Sequence, residues 1–201
     1  KLKGEYILGS ALASSNSGGE ISGVTLLSGS ATQKSGILTT AGSGSGYNAV
    51  DSTITGCVVE SGVKIGWNGA KNCPTGLNDV GSITGGGNFV IRDCKSAATV
   101  YGVSNVGGIV GVKGSSMGAG MVSNSQFTGE IIATGEYVGG IMGRGYDSYT
   151  APNSPCARIN NCYVNASITG AQAVGGIYGG EGGVDQCWSN GVGQVRNCLF
   201  I

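Results

Sequence analysis

Reactive side chains are few in this chain. Its 201 residues include seven Cys, 11 acidic and 11 basic side chains, and no His. Without imidazole there is no Ser-His or Cys-His nucleophile, no His-ligated zinc and no imidazole acid-base step. Carboxylate pairs, or an arginine acting as base, are what remain. The acids are scattered, and no pair recurs on adjacent repeats in a way that places both in one cleft. Arg92-Asp93 and Arg196 share a repeat position and read as solvated turn charges. No two Cys form a Cys-x-x-Cys pair, which argues against a zinc cluster. The expectation is a protein without catalytic residues, metal or cofactor.

Glycine-rich loops fare no better as sites. Gly42-Ser43-Gly44-Ser45-Gly46 lacks the Gly-Lys-Ser/Thr ending and the strand-loop-helix setting that aim backbone amides at a phosphate. Gly179 to Asp185 approaches a calcium-binding nonapeptide but puts Val184 where an Asp is needed, and it occurs once. Zero net charge argues against nucleic acid, whose recognition leaves a basic patch. No run approaches the roughly 20 apolar residues of a membrane-spanning helix. Lys1 to Ala13 superficially resembles a signal peptide, but Tyr6-Ile7-Leu8-Gly9 reads better as a strand.

The cysteines make sense once their spacing is followed. Ile54-x-x-Cys57, Ile91-x-x-Cys94, Val122-x-x-Ser125, Ile159-x-x-Cys162 and Val195-x-x-Cys198 place a branched aliphatic three residues before Cys or Ser, and Ile21-x-x-Val24 is a weaker copy. The last positions, 24, 57, 94, 125, 162 and 198, recur every 31 to 37 residues. A second element recurs between them. Asn105-Val-Gly-Gly-Ile-Val-Gly111, Tyr137-Val-Gly-Gly-Ile-Met-Gly143 and Ala173-Val-Gly-Gly-Ile-Tyr-Gly179 place glycines at 107, 108 and 111, at 139, 140 and 143, and at 175, 176 and 179. A repeat of this length marks a stacked array in which each unit contacts its neighbours. The 41 Gly resemble low complexity, but 40% hydrophobic content argues against disorder.

Period decides the element type. After each marker the residues alternate, as in Cys162, Val164, Ala166 and Ile168 against Tyr163, Asn165, Ser167 and Thr169, which is the period of a strand. The same alternation places Cys57, Val59, Ser61, Val63 and Ile65 inward. No long helical pattern free of Gly is present, and Gly costs a helix interior roughly 1 kcal/mol relative to Ala. Gly inside a strand marks a bend or a close approach of another backbone. Val24, Cys57, Cys94, Ser125, Cys162 and Cys198 should form an inward ladder of compact side chains, since free Cys behaves as a small hydrophobe. The predicted fold is all-β, a parallel β-helix or β-solenoid of about five to six coils. Loops at 66 to 78 and 146 to 155 absorb length differences, and Gly183 to Cys187 is a candidate third strand. At about 4.8 Å between strands the rod would be roughly 25 to 30 Å long.

The Gly-Ile-hydrophobic-Gly cores at 108 to 111, 140 to 143 and 176 to 179, followed by Ile159-x-Asn161-Cys162-Tyr163, resemble the GLUG repeat, with Ile where that family often has Leu. Clear copies cover 89 to 201, and 1 to 88 match in degenerate form, so the whole of 1 to 201 reads as one repeat domain. The resemblance implies a large secreted or surface-attached bacterial protein, such as an adhesin or the non-catalytic part of an immunoglobulin A peptidase. It carries no catalytic residues.

Function is then expected on surfaces. Tyr101, Tyr163 and Trp188 fall on outward positions, joined by Trp67, Tyr146 and Tyr149 in loops, where aromatics stack on sugars or pack against a neighbour. Cys73 and Cys156 lie in loops where an oxidising exterior allows a disulfide. The sequence stops inside a strand, so flanking domains of a longer chain, or neighbouring subunits, are the expected partners at the ends, with a host glycan or protein on the faces. The leading expectation is a non-enzymatic extracellular spacer or adhesive module. Two alternatives stand beside it: an accessory substrate-binding domain of a secreted peptidase or glycan-active enzyme, and a self-assembling filament subunit.

Overall fold

The computed structural model describes residues 7–9, 11–43, 48–69, 76–114, 119–145, 157–180 and 194–201. The chain is a β-solenoid in which every paired strand runs parallel to its neighbours on the turns before and after. One turn illustrates the rest. Phe89–Arg92, Lys95–Ser96, Thr99–Gly102, Val106–Gly107 and Val110–Lys113 contribute one strand each to five sheets, here called first to fifth.

The first sheet stacks Glu20–Ser22, Ser52–Thr55, Phe89–Arg92, Gly120–Ser123, Arg158–Asn160 and Gln194–Arg196. The second begins at Thr25–Leu26 and ends at Leu199–Phe200. The third runs from Ile7–Leu8 to Ser167–Thr169, and the fifth from Ala13–Asn16 to Tyr178–Gly180. The fourth is shorter, from Val80–Gly81 through Val106–Gly107 and Glu136–Gly139 to Gln172–Gly175. Among the described residues, the four turns spanning 52 to 180 therefore carry all five strands. The turn at 20 to 41 lacks the fourth, and partial turns flank both ends. The expected five to six coils become four complete ones with incomplete turns around them.

Register keeps like above like. Ile21, Ile54, Ile91, Val122, Ile159 and Val195 form one inward column of the first sheet. Burying such columns on both sides is the main stabilisation, about 25 cal/mol per Å² of apolar surface. What the alternation pattern predicts as one strand after the marker is two short ones in separate sheets. The corner between them needs small inward residues: a Cβ at Gly129 would fall 2.9 Å from the Ala97 carbonyl carbon and closer still to the Ala98 oxygen. Ser61, expected inward, is exposed because Ser61 and Gly62 form a turn there.

Two corners per turn use left-handed backbone. Gly23, Gly56, Asp93, Asn124, Asn161 and Asn197, each just before the marker, have φ between 49° and 62°. Asp79, Asn105, Tyr137 and Ala173, each entering the fourth sheet, have φ between 48° and 60°. Gly, Asn and Asp tolerate this region best. The asparagines also bond along the axis, with Asn197 Nδ2 donating to Asn161 Oδ1 and Asn161 Nδ2 to Asn124 Oδ1, both at 3.2 Å.

Candidate functional site

The marker ladder faces the interior. Cys57, Cys94, Ser125 and Cys162 are buried, while Val24 and Cys198, on the first and last turns, are partly exposed. Each Cys or Ser side chain of the ladder bonds back across its left-handed corner. Cys94 Sγ donates to the Arg92 carbonyl at 3.2 Å, Cys162 Sγ to Asn160 at 3.3 Å, Cys198 Sγ to Arg196 at 3.2 Å, and Ser125 Oγ to Ser123 at 2.8 Å. The same atoms accept from the preceding turn, as when Cys94 N donates to Ser125 Oγ at 3.1 Å and Cys162 N to Cys198 Sγ at 3.4 Å. The corner interrupts the regular ladder, and an otherwise orphaned buried amide is costly. A compact side chain that both donates and accepts repairs it, which is why Ser125 substitutes for Cys.

These thiols are structural. Cys57, Cys94, Cys162 and Cys198 are free. Burial pushes the Cys162 thiol up to about 12, and the hydrogen bond with Cys57, followed by burial, pushes Cys94 upward as well. Cys57 shifts the other way, down to about 7, because it shares that hydrogen bond with Cys94, but it is fully buried, whereas a nucleophilic thiol needs both a lowered value and access. Among the described residues no group of three or more His, Cys, Asp or Glu could hold a metal ion. Arg92 and Arg196 share an outward column but stand three turns apart, separated by Ser123 and Asn160. Cys73, Cys156, Cys187 and the candidate strand at 183 to 187 lie outside the described residues, as does Trp188.

The glycine heptads form narrow arches between the fourth and fifth sheets. Gly107, Gly139 and Gly175 pack backbone on backbone: an added Cβ would fall 2.8 Å from Gly143 N, 2.6 Å from Gly179 N and 2.9 Å from the Tyr178 carbonyl carbon, respectively. Gly111, Gly143 and Gly179 face the same contact from the other arm, with Val80 N, Val106 N and Val138 N each 2.5 Å from a Cβ. Gly108, Gly140 and Gly176 turn toward the second sheet of the next turn, where Phe127 Cδ1, Val164 Cγ1 and Phe200 Cδ1 would each lie 2.6 Å away. Ile83, Ile109 and Ile141 cap the arches and chain them together, Ile83 N donating to Ile109 O at 3.0 Å and Ile109 N to Ile141 O at 3.0 Å.

A fourth arch, Asp79-Val80-Gly81-Ser82-Ile83-Thr84-Gly85, escapes the heptad search because it replaces two residues of the motif. Its register with 105 to 111 is direct, Val80 on Val106 and Thr84 on Val110. Ser82 is buried and donates to the Gly108 carbonyl.

At the end of the fifth-sheet strand Val110–Lys113 lies Lys113 itself, 1% exposed, its stem so close to Gly120 that a Cβ there would meet Lys113 Cδ at 2.5 Å. Burial lowers its ammonium to about 8, opposed by the charge of Asp51.

The outward aromatics do not share one platform. Tyr101 lies on the third sheet and Tyr163 on the second, in a column with Gln126 and Leu199. Tyr101 instead joins Trp67, ring centroids 5.1 Å apart and tilted 46°, with Lys64 Nζ 4.4 Å over the Trp67 ring. Trp67 comes to Tyr101 because its amide donates to Thr32 O at 2.7 Å, prolonging the third sheet beyond Ile65. Lys64, three residues before Trp67 and on a strand's outer face, is the sequence signal for this cluster.

The geometry defines a solenoid with a largely apolar interior and outward side-chain columns that repeat once per turn. No family model, no curated protein and no solved structure matches the chain. No helix among the described residues is long and apolar enough to cross a membrane.

Proposed function

We propose that this chain is a non-enzymatic repeat module of a bacterial secreted or surface protein, acting outside the cell as a spacer that presents a ligand-binding face to a host glycan or protein. One observation carries the reading. The stacked columns fill the interior, so side chains are offered to partners one per turn along outer faces, and the Lys64, Trp67 and Tyr101 cluster is the most concentrated of these offers. An indole and a phenol beside an ammonium stack on the apolar face of a sugar ring, while the cation holds a hydroxyl or carboxylate. The resemblance of the 108 to 111, 140 to 143 and 176 to 179 cores to GLUG repeats supports the extracellular, bacterial setting. A catalytic domain elsewhere on the same polypeptide would make the same cluster the substrate-binding arm of a peptidase or glycan-active enzyme, a distinction that the flanking gene sequence resolves.

The test is a binding screen of the purified chain against immobilised glycans and extracellular-matrix proteins, repeated with Trp67→Ala and Tyr101→Ala. Binding that falls at least tenfold in both variants, with unchanged folding, is expected. Hydrolysis of a peptide or glycan by the isolated chain would overturn the reading.

A further inference from the structure

The outer edge between the first and second sheets concentrates positive charge. Arg92 and Lys95 stand on either side of the left-handed corner at Asp93, and register carries both outer columns along the rod. Arg196 lies in the Arg92 column, three turns on, and Arg158 lies one column further from the corner on the first sheet. All four are exposed, and among the described residues none of them is in an ion pair. Asp93 is the one acid among them. From Phe89 onward the other acids of the described residues, Glu130 and Glu136, stand on the third and fourth sheets. A chain of zero net charge is therefore polarised across its section, positive on this edge and negative on two other faces.

The crest of this edge supplies donors. Asn124, Asn161 and Asn197 stack beyond Asp93, and their ladder bonds use one N–H each of Asn161 and Asn197. An amide nitrogen carries two, so both exposed asparagines keep a donor for a partner. Tyr163, partly buried in the column of Lys95, presents a ring beside them. Cations, amide donors and an aromatic ring along one line suit an acidic sugar chain, with charge on charge, hydroxyl on amide and ring on ring. Spacing narrows the choice. Successive turns are about 4.8 Å apart, so Arg92 to Arg196 covers three spacings, and the turn carrying Ser123 and Gln126 adds no charge there. The edge thus offers less than one net positive charge per turn, whereas duplex DNA presents a negative charge about every 1.7 Å. That is too thin for a nucleic acid and matches a chain with one acidic group every ring or two.

We propose that this edge is a second binding surface, for an acidic glycan lying along the rod axis with its sulfates or carboxylates on Arg92, Lys95, Arg158 and Arg196. It is separate from the Lys64, Trp67 and Tyr101 cluster, which lies on the third sheet and its extension. Binding at the edge does not require the cluster. The contact is shared over several turns between exposed charges, so it weakens as salt screens them. Asp93 limits the affinity, because it places a carboxylate where the next three turns have Asn. Asparagine accepts the same corner: φ is 49° to 53° at Asn124, Asn161 and Asn197 against 56° at Asp93.

The test titrates the purified full chain by biolayer interferometry against immobilised heparin, hyaluronan, neutral dextran and a duplex DNA oligonucleotide. Heparin is expected to bind at least about tenfold more tightly than dextran at about 50 mM salt and to lose affinity by about 200 mM. Arg92→Gln and Arg158→Gln should each weaken heparin binding about threefold, while Lys34→Gln, the same loss of charge away from the edge, should change it less than about 1.5-fold. Asp93→Asn should strengthen it about twofold, a gain that misfolding cannot imitate. Circular dichroism and thermal melting check folding, and Arg92→Lys, which keeps the charge, should retain binding. Hyaluronan bound as tightly as heparin would assign the contact to carboxylates, and heparin bound alone to sulfates; either supports the proposal. Heparin bound no more tightly than dextran, an equal loss in Lys34→Gln, no gain in Asp93→Asn, or DNA bound more tightly than heparin would each overturn it. Any binding of a neutral glycan through the aromatic cluster should persist in the edge variants, so the failure of either surface is read independently of the other.

Discussion

Two arches of one design differ at the inward residue that faces the next turn. In the arch at 79 to 85 that residue is Ser82, and in the arch at 105 to 111 it is Gly108. The residue facing each from the second sheet of the following turn differs in step: Ser96 stands where Phe127 stands one turn later. A small neighbour permits a hydroxymethyl group, and a phenyl ring permits nothing beyond hydrogen. None of the nine repeat glycines has a left-handed φ. The glycines are therefore a statement about the next turn's side chains and the opposing backbone, and the left-handed work falls to the first residue of each arch.

The harshest way to break this comparison is to put bulk where both backbone and side chain object. Gly140→Val would set a Cβ 2.6 Å from Val164 Cγ1 and nearer still to the Gly176 carbonyl. It is expected to cost about 4 kcal/mol or more, or to prevent folding, whereas Gln126→Val on the outer face should stay within about 0.5 kcal/mol. Denaturant melts of the two variants give the contrast, and equal shifts would mean that the arch yields.

A double-mutant cycle sharpens the size rule. Phe127→Ser alone should cost about 3 to 5 kcal/mol as a cavity, and Gly108→Ser alone should also be strongly destabilising. Together they recreate the Ser82 and Ser96 pair, so the double variant should be at least about 1 kcal/mol more stable than the sum predicts. Strict additivity would show that the two sites do not sense each other.

The strand ends of the two arches differ as well, Lys113 lying in register with Gly87. Burial holds the folded-state ammonium of Lys113 at about 8, below its ordinary 10.5. Above pH 8 the folded chain binds fewer protons than the unfolded chain, so stability should rise with pH, by about 1 kcal/mol between pH 8 and 9. Beyond pH 9 the raised Cys162 thiol works in the opposite direction, because the unfolded thiol ionises first. Cys57, lowered to about 7 by its hydrogen bond with Cys94, adds a rise of the same sign, so chemical denaturation across this window should show the rise in wild type and a smaller one in Lys113→Met.

The gentlest perturbation concerns the corner. Ala173 has φ 48° where Asn105 has 56° and donates to Asp79 Oδ1 at 2.7 Å. An L-residue without a polar side chain is disfavoured there by about 1 to 2 kcal/mol, so Ala173→Asn should stabilise by up to about 1 kcal/mol. No change in melting temperature would place the strain elsewhere.

The spacing of the markers and heptads was enough to read a parallel solenoid and an inward Cys and Ser column, because both signals recur at fixed offsets. Strand breaks were less legible. Alternation continues in sequence across the corner at Ala98 and Gly129, so period two cannot distinguish one long strand from two short ones in different sheets. The corners at Tyr137 and Ala173 were hidden for a different reason: neither residue type signals left-handed backbone, although Asp79 and Asn105 in the equivalent places do. Tyr101 and Tyr163 read alike as outward residues, yet they stand on different sheets. Tyr101 and Tyr163 occupy different offsets within the repeat, and how many faces lie between those offsets is fixed by the corners.

The direction of the interturn hydrogen bonds carries a mechanical consequence. Bonds such as Ile109 N to Ile141 O run along the rod, so a pull on its two ends loads successive turns in series. The weakest end turn lets go first and its neighbours keep their contacts. Each release frees the 31 to 37 residues that separate successive markers, roughly 105 to 125 Å of chain at about 3.4 Å per residue, in exchange for about 4.8 Å of rod. Tethered between two surfaces, such a molecule would lengthen in large steps and limit the tension that either surface feels.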